Sequence, residues 1–518
     1  MKKQEQEVEI SPEHLEAFNS QKITPPINKD LPAEDRNNVL ITSALPYVNN
    51  IPHLGNIIGC VLSADVYSRY RKLQGDNVLY ICGTDEYGTA TEVKAMEEKK
   101  TPKEICDYYN EIHGKVYEWF DIAFDHFGRT STEWHTKVTQ EIFTSIQEQG
   151  KVTTEEMSQC HCEGCDLFLA DRFIVGTCPY CGFEDARGDQ CDKCQKLMNN
   201  PTDLLNYYCH ICKKQPEVKK TTHFFMKLPE IQQELSEWID KASKKGHWSD
   251  NSNTITKAWL NMGLREKCIT RDLKWGVPVP VEGYGHKVFY VWFDAPIGYI
   301  SITANLLQED YQRWWKNPEQ VKLYQFMGKD NVPFHTVMFP SSLIASRQPW
   351  TLLHHISTTE YLNYEGGKFS KRNGTGVFGS HAIELGRDIP SEVWRYYLLV
   401  NRPEKSDSDF SWHDFMEKNN NELLANLGNL VHRALSFMYS RFDKKIPEYS
   451  KECADETETD FIGEMESRYE RYKEYLNKVE IKEALKFSME ISSRGNKYLQ
   501  DSKFWEKANL ESGRYLWV

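Results

Sequence analysis

The stretch Val39–Asn56, VLITSALPYVNNIPHLGN, decides the fold. Val39, Leu40 and Ile41 read as a buried strand, and Pro46 and Pro52 forbid its continuation. From Ile57 to Arg71, the residues Ile58, Val61, Leu62, Val66 and Tyr70 recur at helical spacing. A strand that passes through Pro-rich backbone into a helix start is a junction where phosphate chemistry often sits. His53 and Asn56, with Gly55 between them, fall in the first helical turn. There the free N–H groups and the positive end of the helix dipole favour an anion, and an imidazole and an amide add directed donors. Alone, a histidine near a helix start is usually a cap or a surface residue.

A second stretch, Gly366–Gly376, GGKFSKRNGTG, sets Lys368 and Lys371 three apart in a loop of glycines and small polar residues. Such a loop suits a polyphosphate, although standing alone it reads better as a solvated basic turn. Together the two stretches resemble the signature sequences of class I aminoacyl-tRNA synthetases. The HIGH-type motif matches His53-Leu54-Gly55-Asn56, and the KMSKS-type motif matches Lys368-Phe369-Ser370-Lys371-Arg372. ITSALPYVNN, CGTDEYGTATE, VFYVWFDAPIGY, GKDNVPFH and EYLNYEGGKFSK are similar to the methionyl-tRNA synthetases of the eukaryotic cytosolic type, from Val39 to Trp505. Two positions depart from the pattern: Asn56 stands where His is usual and Arg372 where Ser is usual. The Asn keeps a donor for phosphate; the Arg adds charge and bulk to a loop that must close over ATP.

A chain of 518 residues is too long for one core, so three or more domains are expected. Its 63 Lys+Arg against 76 Asp+Glu give a net charge of -13, opposite in sign to the usual footprint of a nucleic-acid binder. RNA contacts must therefore come from local patches. No apolar run is long enough to span a bilayer, and MKKQEQEVEI lacks the apolar core of a signal peptide. The expectation is a soluble, cytoplasmic protein with no membrane partner.

The fold class expected is α/β, a doubly wound parallel sheet with an insertion and a C-terminal helical domain. Residues 1–36 read as a polar leader, and 37–150 as the first half of the nucleotide-binding sheet. Val78–Cys82 is a continuous apolar run, as a strand covered on both faces should be, and Asp85 follows at its carboxyl end, where ligands bind in open sheets. Asp85 is a turn residue on the plain reading. The resemblance implies instead that it pairs with the substrate α-amino group.

Residues 151–266 break the alternation and hold four close pairs: Cys162/Cys165, Cys178/Cys181, Cys191/Cys194 and Cys209/Cys212. Two such pairs close a tetrahedral Zn2+ site with no open position, so eight thiolates make two structural sites. Spacing leaves the pairing open; the resemblance implies a nested one, inner pairs on one ion and outer pairs on the other. Residues 267–385 form the second half of the sheet, resuming with 268–283 and a strand at Lys287–Trp292, then another at Leu323–Met327.

The resemblance implies a methionine pocket of Leu45, Tyr47, Asp85, Trp292, Ala295, Pro296, Tyr299 and His335. It implies ATP binding by His53, Gly55, Asn56, Gly328, Asp330, Lys368 and Lys371. Residues 386–415 read as a connecting module and 416–518 as an anticodon-binding bundle. Leu423, Leu427, Leu430, Ala434 and Phe437 mark an apolar helix face, while Asn426, Asn429 and Arg433 form a polar stripe that would ordinarily be solvated. By resemblance, Asn429 and Arg433 read the anticodon and Trp505 stacks on a loop base. Only 518 − 505 = 13 residues follow Trp505. The bundle is therefore expected to be incomplete, truncated relative to the family, with exposed apolar surface.

The implied activity is ATP-dependent ligation of L-methionine to tRNA(Met) through a methionyl adenylate. His53, Asn56, Lys368, Lys371 and Mg2+ would stabilise charge developing on the phosphates. Other synthetases are candidate partners. Two alternatives carry different signatures. A leucine or isoleucine enzyme of the same class normally bears a much larger editing insertion, and a non-catalytic tRNA-binding relative need not keep His53, Asp85 and Lys371 together.

Overall fold

Five parallel strands form the central sheet: β1 (Asn38–Ser43), β2 (Asn77–Thr84), β3 (His126–Arg129), β4 (Val321–Gly328) and β5 (Leu353–Thr359), in the order β5-β4-β1-β2-β3. The computed structural model describes residues 27–503 except 170–172, 189, 190, 192, 195, 197, 199, 200, 368, 370–374 and 443–455. Every residue of β1 and β2 is buried. Val39 and Ile41 pack with Val61 and Tyr67 of α1 (54–73) on one face. Leu40 packs on the other with α3 (Glu133–Glu148), α4 (291–307) and α5 (334–345), α2 (Pro102–Trp119) lying between β2 and β3. Helices on both sides explain why these strands read as unbroken apolar runs.

The chain leaves β1 toward β2 and β3, and returns on the opposite side of β1 as β4. Loops at the carboxyl ends of β1 and β4 therefore diverge and open a crevice at this switch point.

The expected strand at Lys287–Trp292 is not part of this sheet. Val288–Phe289 pairs antiparallel with Thr270–Arg271 in a separate two-stranded piece, and Val291–Asp294 already winds as helix. An aromatic run buried all round has no period to distinguish strand from helix. The parallel sheet resumes only at Val321.

Between the halves, Val152–Cys162 and Glu217–Met226 form a long antiparallel ribbon. Ile174–Thr177, Ala186–Arg187 and Leu205–Cys209 make a small sheet in the same insertion. Leu362–Tyr364 pairs parallel with Ser408–Phe410 across the boundary expected at 385. After α6 (Ser391–Val400), the described residues form three long helices, α7 (412–441), α8 (Glu456–Asn477) and α9 (Ile481–Ser502).

The polar stripe of α7 bonds to α9, although Asn429 remains exposed. Asn426 Nδ2 donates to Met489 O (3.0 Å), Asn429 Nδ2 to Asn496 Oδ1 (2.8 Å), and Arg433 to Asn496 O and Gln500 Oε1 (3.4 Å each), all on α9. Leu424, Leu427, Val431, Leu435 and Tyr439 of α7 are exposed instead. Among the described residues no helix is long and apolar enough to cross a membrane.

Asp65 of α1 ties these layers together. Its fully buried carboxylate accepts from Arg69 Nε (2.9 Å), Arg395 Nη2 of α6 (2.6 Å) and the Ala123 N–H (2.8 Å). Asp65→Ala leaves the buried end of Arg395 without its carboxylate and Arg69 with Asp121 alone (3.1 Å). We expect a loss of about 3 kcal/mol in urea denaturation, the lower part of the range for breaking a buried pair, because both arginines keep some solvent contact. A midpoint within error of wild type would refute the bracing role.

Candidate active site

Pro46 turns the chain over the end of β2, where the Asp85 N–H donates to Pro46 O (2.9 Å) and Tyr47 bridges to Asp85. The crevice opened by the switch point is walled by Leu45 and Tyr47 after β1, Asp85 after β2, Trp292, Ala295, Pro296 and Tyr299 of α4, and His335 of α5. All eight residues expected around the methionine side chain and amino group thus meet in one cavity. A Cβ at Gly298 would lie 2.7 Å from Leu45 Cδ1, so glycine there lets α4 close on the β1 loop.

His335 Nδ1 lies 2.7 Å from Asn331 O and Nε2 lies 2.8 Å from the Tyr299 hydroxyl. A carbonyl only accepts, so Nδ1 carries the proton and Nε2 accepts from Tyr299. Burial pushes the His335 pKa down to about 4, which keeps the ring neutral. Trp292 stands edge-on to Phe334 (5.0 Å) with Lys267 Nζ 4.0 Å above its ring. Two segments beside the cavity, Ile57–Leu62 and Phe334–Met338, are wound with i→i+5 hydrogen bonds, a feature frequent at functional sites.

Asp85 is buried, and its Oδ1 has no hydrogen-bond partner among the described residues. Burial, then the charges of Asp294 and Glu86, hold its carboxyl well above the usual range. Next to it, Glu86 is saturated: Arg129 Nε (2.9 Å), Thr84 Oγ1 (2.8 Å) and Ser131 Oγ all donate to it. The cavity therefore offers one buried acceptor to a cation, opposite an aromatic and apolar wall.

The expectation of free N–H groups around His53 is corrected. His53 is itself the N-cap of α1: its Nδ1 accepts from Gly55 N (3.1 Å) and Asn56 N (3.3 Å), and Asn56 Oδ1 accepts from His53 N (3.2 Å). Leu54 N donates to Val377 O (3.2 Å). With Nδ1 accepting, the imidazole proton sits on Nε2, and the Asn56 amide keeps its N–H2. The two signature stretches are stitched together, since Gly379 N donates to Pro52 O (2.8 Å) and Phe369 stacks on His53 at 4.8 Å. Asn56 lies in the cavity wall, while His53 and Gly55 stand beside it.

At the end of β4, the Tyr361 hydroxyl donates to both oxygens of Asp330 (2.8 and 2.9 Å). Gly328 ends that strand. Lys368, Lys371, Arg372 and Trp505 lie outside the described residues. Asn429 and Arg433 are on α7, away from the cavity, on the face that meets α9.

Sequence reasoning missed Asn331 and Phe334 of the wall, Tyr361 on Asp330 and Phe369 on His53. Phe334 and Phe369 were in plain sight, adjacent to His335 and Lys368 inside the motifs themselves. Tyr361 had no local signal.

The cysteines assemble as two sets, Cys162/Cys165/Cys209/Cys212 and Cys178/Cys181/Cys191/Cys194, each with its sulfurs within 4.8 Å of one another. The closest cross-pair contacts are 3.2 Å (Cys162–Cys212) and 3.7 Å (Cys178–Cys194 and Cys181–Cys191). A tetrahedron with Zn–S of about 2.3 Å has sulfurs about 3.8 Å apart. The nested arrangement of four thiolates is thus able to hold zinc twice, with no coordination position left open.

A family model described as "tRNA synthetases class I (M)" matches residues 39–435. The chain belongs to that family. It is 57% identical over 494 residues to a probable cytoplasmic methionine--tRNA ligase of Dictyostelium discoideum, covering 95% of this chain and 66% of that protein. It is 52% identical over 485 residues to the cytoplasmic methionine--tRNA ligase of Homo sapiens, covering 94% and 53%. The chain spans about half to two thirds of the length of these relatives. Its fold is that of the Mycobacterium tuberculosis methionyl-tRNA synthetase bound by methionyl-adenylate, with a TM-score of 0.73 at 20% identity, covering 92% of this chain and 86% of that one.

If both thiolate sets bind zinc, elemental analysis of the purified chain returns two ions. Cys178→Ala then loses one and keeps the other, because the sets share no ligand. Retention of both ions, or loss of both at once, contradicts two independent sites.

Proposed function

We propose that the chain catalyses ATP-dependent ligation of L-methionine to tRNA(Met). One observation carries the reading: a cavity with a single buried, unsatisfied carboxylate at one end and Trp292, Tyr299, Phe334 and the neutral His335 at the other. Asp85 receives the ammonium group. The thioether lies against aromatic edges, a favourable and shape-tolerant contact for sulfur. Membership of the family and the names of its cytoplasmic relatives support the same substrate and a cytoplasmic location.

In the first step a methionine carboxylate oxygen attacks the α-phosphorus of ATP. A new P–O bond forms, the bond to the bridging oxygen breaks, and pyrophosphate leaves with its electron pair. In the second step a hydroxyl of the terminal adenosine of tRNA attacks the methionyl carbonyl and AMP departs. No protein nucleophile is needed, so rate comes from positioning and from cations and donors along the phosphates. His53 Nε2–H and the Asn56 amide are assigned to the phosphates, Gly55 and Gly328 to close approach of the nucleotide, and Asp330 to the ribose hydroxyls. Asp330 would exchange its Tyr361 partner for them. Lys368 and Lys371 are assigned to the charge that develops as pyrophosphate leaves; Mg2+ would accompany ATP and spread that charge further.

The thiolate sets are assigned to two structural Zn2+ ions. Asn429, Arg433 and Trp505 are proposed to contact the anticodon. For the first two that requires exchanging their α9 partners for bases. Other synthetases are proposed as further partners on the resemblance alone, which co-purification tests.

ATP–pyrophosphate exchange across a panel of amino acids tests the proposal. Methionine alone should drive it; exchange driven by leucine or isoleucine would assign the chain to a neighbouring enzyme. Asp85→Asn should raise the methionine KM at least ~10-fold, as expected for losing a charge-assisted bond, with the ATP KM unchanged. An effect on ATP alone would reassign Asp85. Lys371→Ala should lower the exchange rate at least ~10-fold with methionine KM nearly intact, because its contact strengthens in the transition state. An undiminished rate removes that role.

A further inference from the structure

Trp292 stands in the cavity wall, yet no hydrogen bond fixes its indole: Nε1 has no acceptor among the described residues. Other indoles nearby are pinned, Trp275 Nε1 donating to Glu86 O (2.7 Å) and Trp315 Nε1 to Thr303 Oγ1 (2.9 Å). Trp292 meets rings instead, Phe334 edge-on at 5.0 Å and Tyr290 at 5.2 Å. Ring contacts tolerate a range of offsets and tilts, so they hold an indole less firmly than a hydrogen bond does.

Lys267 shows the complementary lack. It is half-buried, and no carboxylate lies within ion-pair distance of its Nζ among the described residues. Burial and the charge of Arg271 both push its pKa down. Its ammonium therefore needs a partner, and the one present is the face of Trp292, 4.0 Å away at the ring centroid. A desolvated cation over an indole is the strong case of this contact. Each of the two groups lacks the partner it would ordinarily have, and each supplies it to the other.

The placement of the pair matters. Lys267 sits at the root of the insertion, opposite Met226 of the long ribbon. Ile269 N donates to Phe224 O and Tyr290 N to Ile269 O (2.9 Å each), which ties that root to the segment bearing Trp292. Trp292 is part of the cavity lining and Lys267 is not, so the ring separates the cation from the space inside. Arg271, 3.7 Å over Tyr290, is one ring farther out, since Tyr290 does not line the cavity.

We infer that Lys267 is a positioning residue that sets methionine affinity and side-chain length selectivity by holding the plane of Trp292. The inference rests on the proposed methionine site, which puts the thioether against Trp292 and gives Lys267 no part. With the cation in place the apolar end of the slot has a fixed depth. Without it the indole keeps only Phe334 and Tyr290, and a longer thioether gains room by tilting it. A rigid apolar slot separates substrates one methylene apart by roughly 10- to 200-fold, and a ring free to tilt forfeits part of that factor.

Lys267→Met keeps the stem of the side chain and removes the charge, which separates the cation from its packing. Isothermal titration of L-methionine, and of L-ethionine with its one extra methylene, into the whole chain and each variant reads the effect. Lys267→Met should weaken methionine roughly fivefold and ethionine less, so that the ratio of the two Kd values narrows, with the ATP KM of pyrophosphate exchange unchanged. Lys267→Arg, which keeps a cation over the ring, should bind both within about twofold of wild type. In a Trp292→Leu background, Lys267→Met should cost less than about twofold, because the lysine acts through the ring.

A lysine that merely steadies the ribbon changes both Kd values by the same factor with and without Trp292, and that result overturns the inference. So does a Lys267→Met chain that binds methionine like wild type, or an arginine that fails to rescue. If Lys267→Met does not fold, Lys267→Gln takes its place in the same cycle. Should the wild-type chain bind no methionine and support no methionine-dependent exchange, the proposed function falls, and this inference with it. Exchange in wild type with an additive cycle overturns the inference alone.

Discussion

A carboxylate taken out of water needs a compensating partner, and Asp85 has none for its Oδ1 among the described residues. The fold holds it there regardless, because β2 is buried along its whole length and the Asp85 N–H is tied to Pro46 O. The contrast with the next residue is informative. Glu86 collects donors from Arg129, Thr84 and Ser131, and its carbonyl accepts from Trp275 Nε1 (2.7 Å). Of two adjacent acids at one strand end, Glu86 is satisfied by the protein while Asp85 Oδ1 has no partner among the described residues. In the proposed function a bound ammonium group would relieve that unfavourable desolvation, which would favour a charged amine over a neutral one.

The two glycine-bearing stretches depend on each other in a different way. His53 uses one ring nitrogen to cap its own helix, which fixes the ring plane, and that plane is the platform for Phe369. Leu54 and Gly379 close backbone bonds on either side of the contact. The helix start thus contributes rigidity, and the flank of the lysine loop inherits it. An N-terminus with all its donors open would attract an anion more strongly but would leave the loop flank without a fixed seat.

The strands β1, β2 and β4 were legible because a strand buried on both faces reads as an apolar run whatever its register. The CxxC pairs were legible because the ligand geometry is local. Val291–Asp294 was not. Its residues are strand formers by composition, and only the turn forced by Tyr290 O accepting from Phe293 N and Asp294 N reveals the helix. The partners of the α7 polar stripe were not legible for another reason. Its partners Asn496 and Gln500 lie more than sixty residues away, and no periodicity says whether an amide meets water or another amide. The roles of the cavity residues came from family resemblance; spacing alone would have left Trp292, Pro296 and His335 as core.

The insertion touches the cavity by its root and not by its thiolates. Lys267–Cys268 pairs with Phe225 and Met226 at the near end of the long ribbon, and Lys267 lies over Trp292 while Arg271 lies 3.7 Å over Tyr290. Cys162, a thiolate of the outer set, ends the same ribbon's first strand at Val152–Cys162. At a rise of about 3.4 Å per residue, an eleven-residue strand separates root from thiolates by on the order of 30 Å. The thiolate-lined cluster around Cys178 and Cys209 is a small core of its own, distinct from the two that flank the sheet. Zinc held at that end would order the tip, while cation–π contacts of about 1 kcal/mol each hold the root against the cavity wall. Lys267 and Arg271 brace that wall locally, while the core of the tip packs on Val93 of the first half of the sheet.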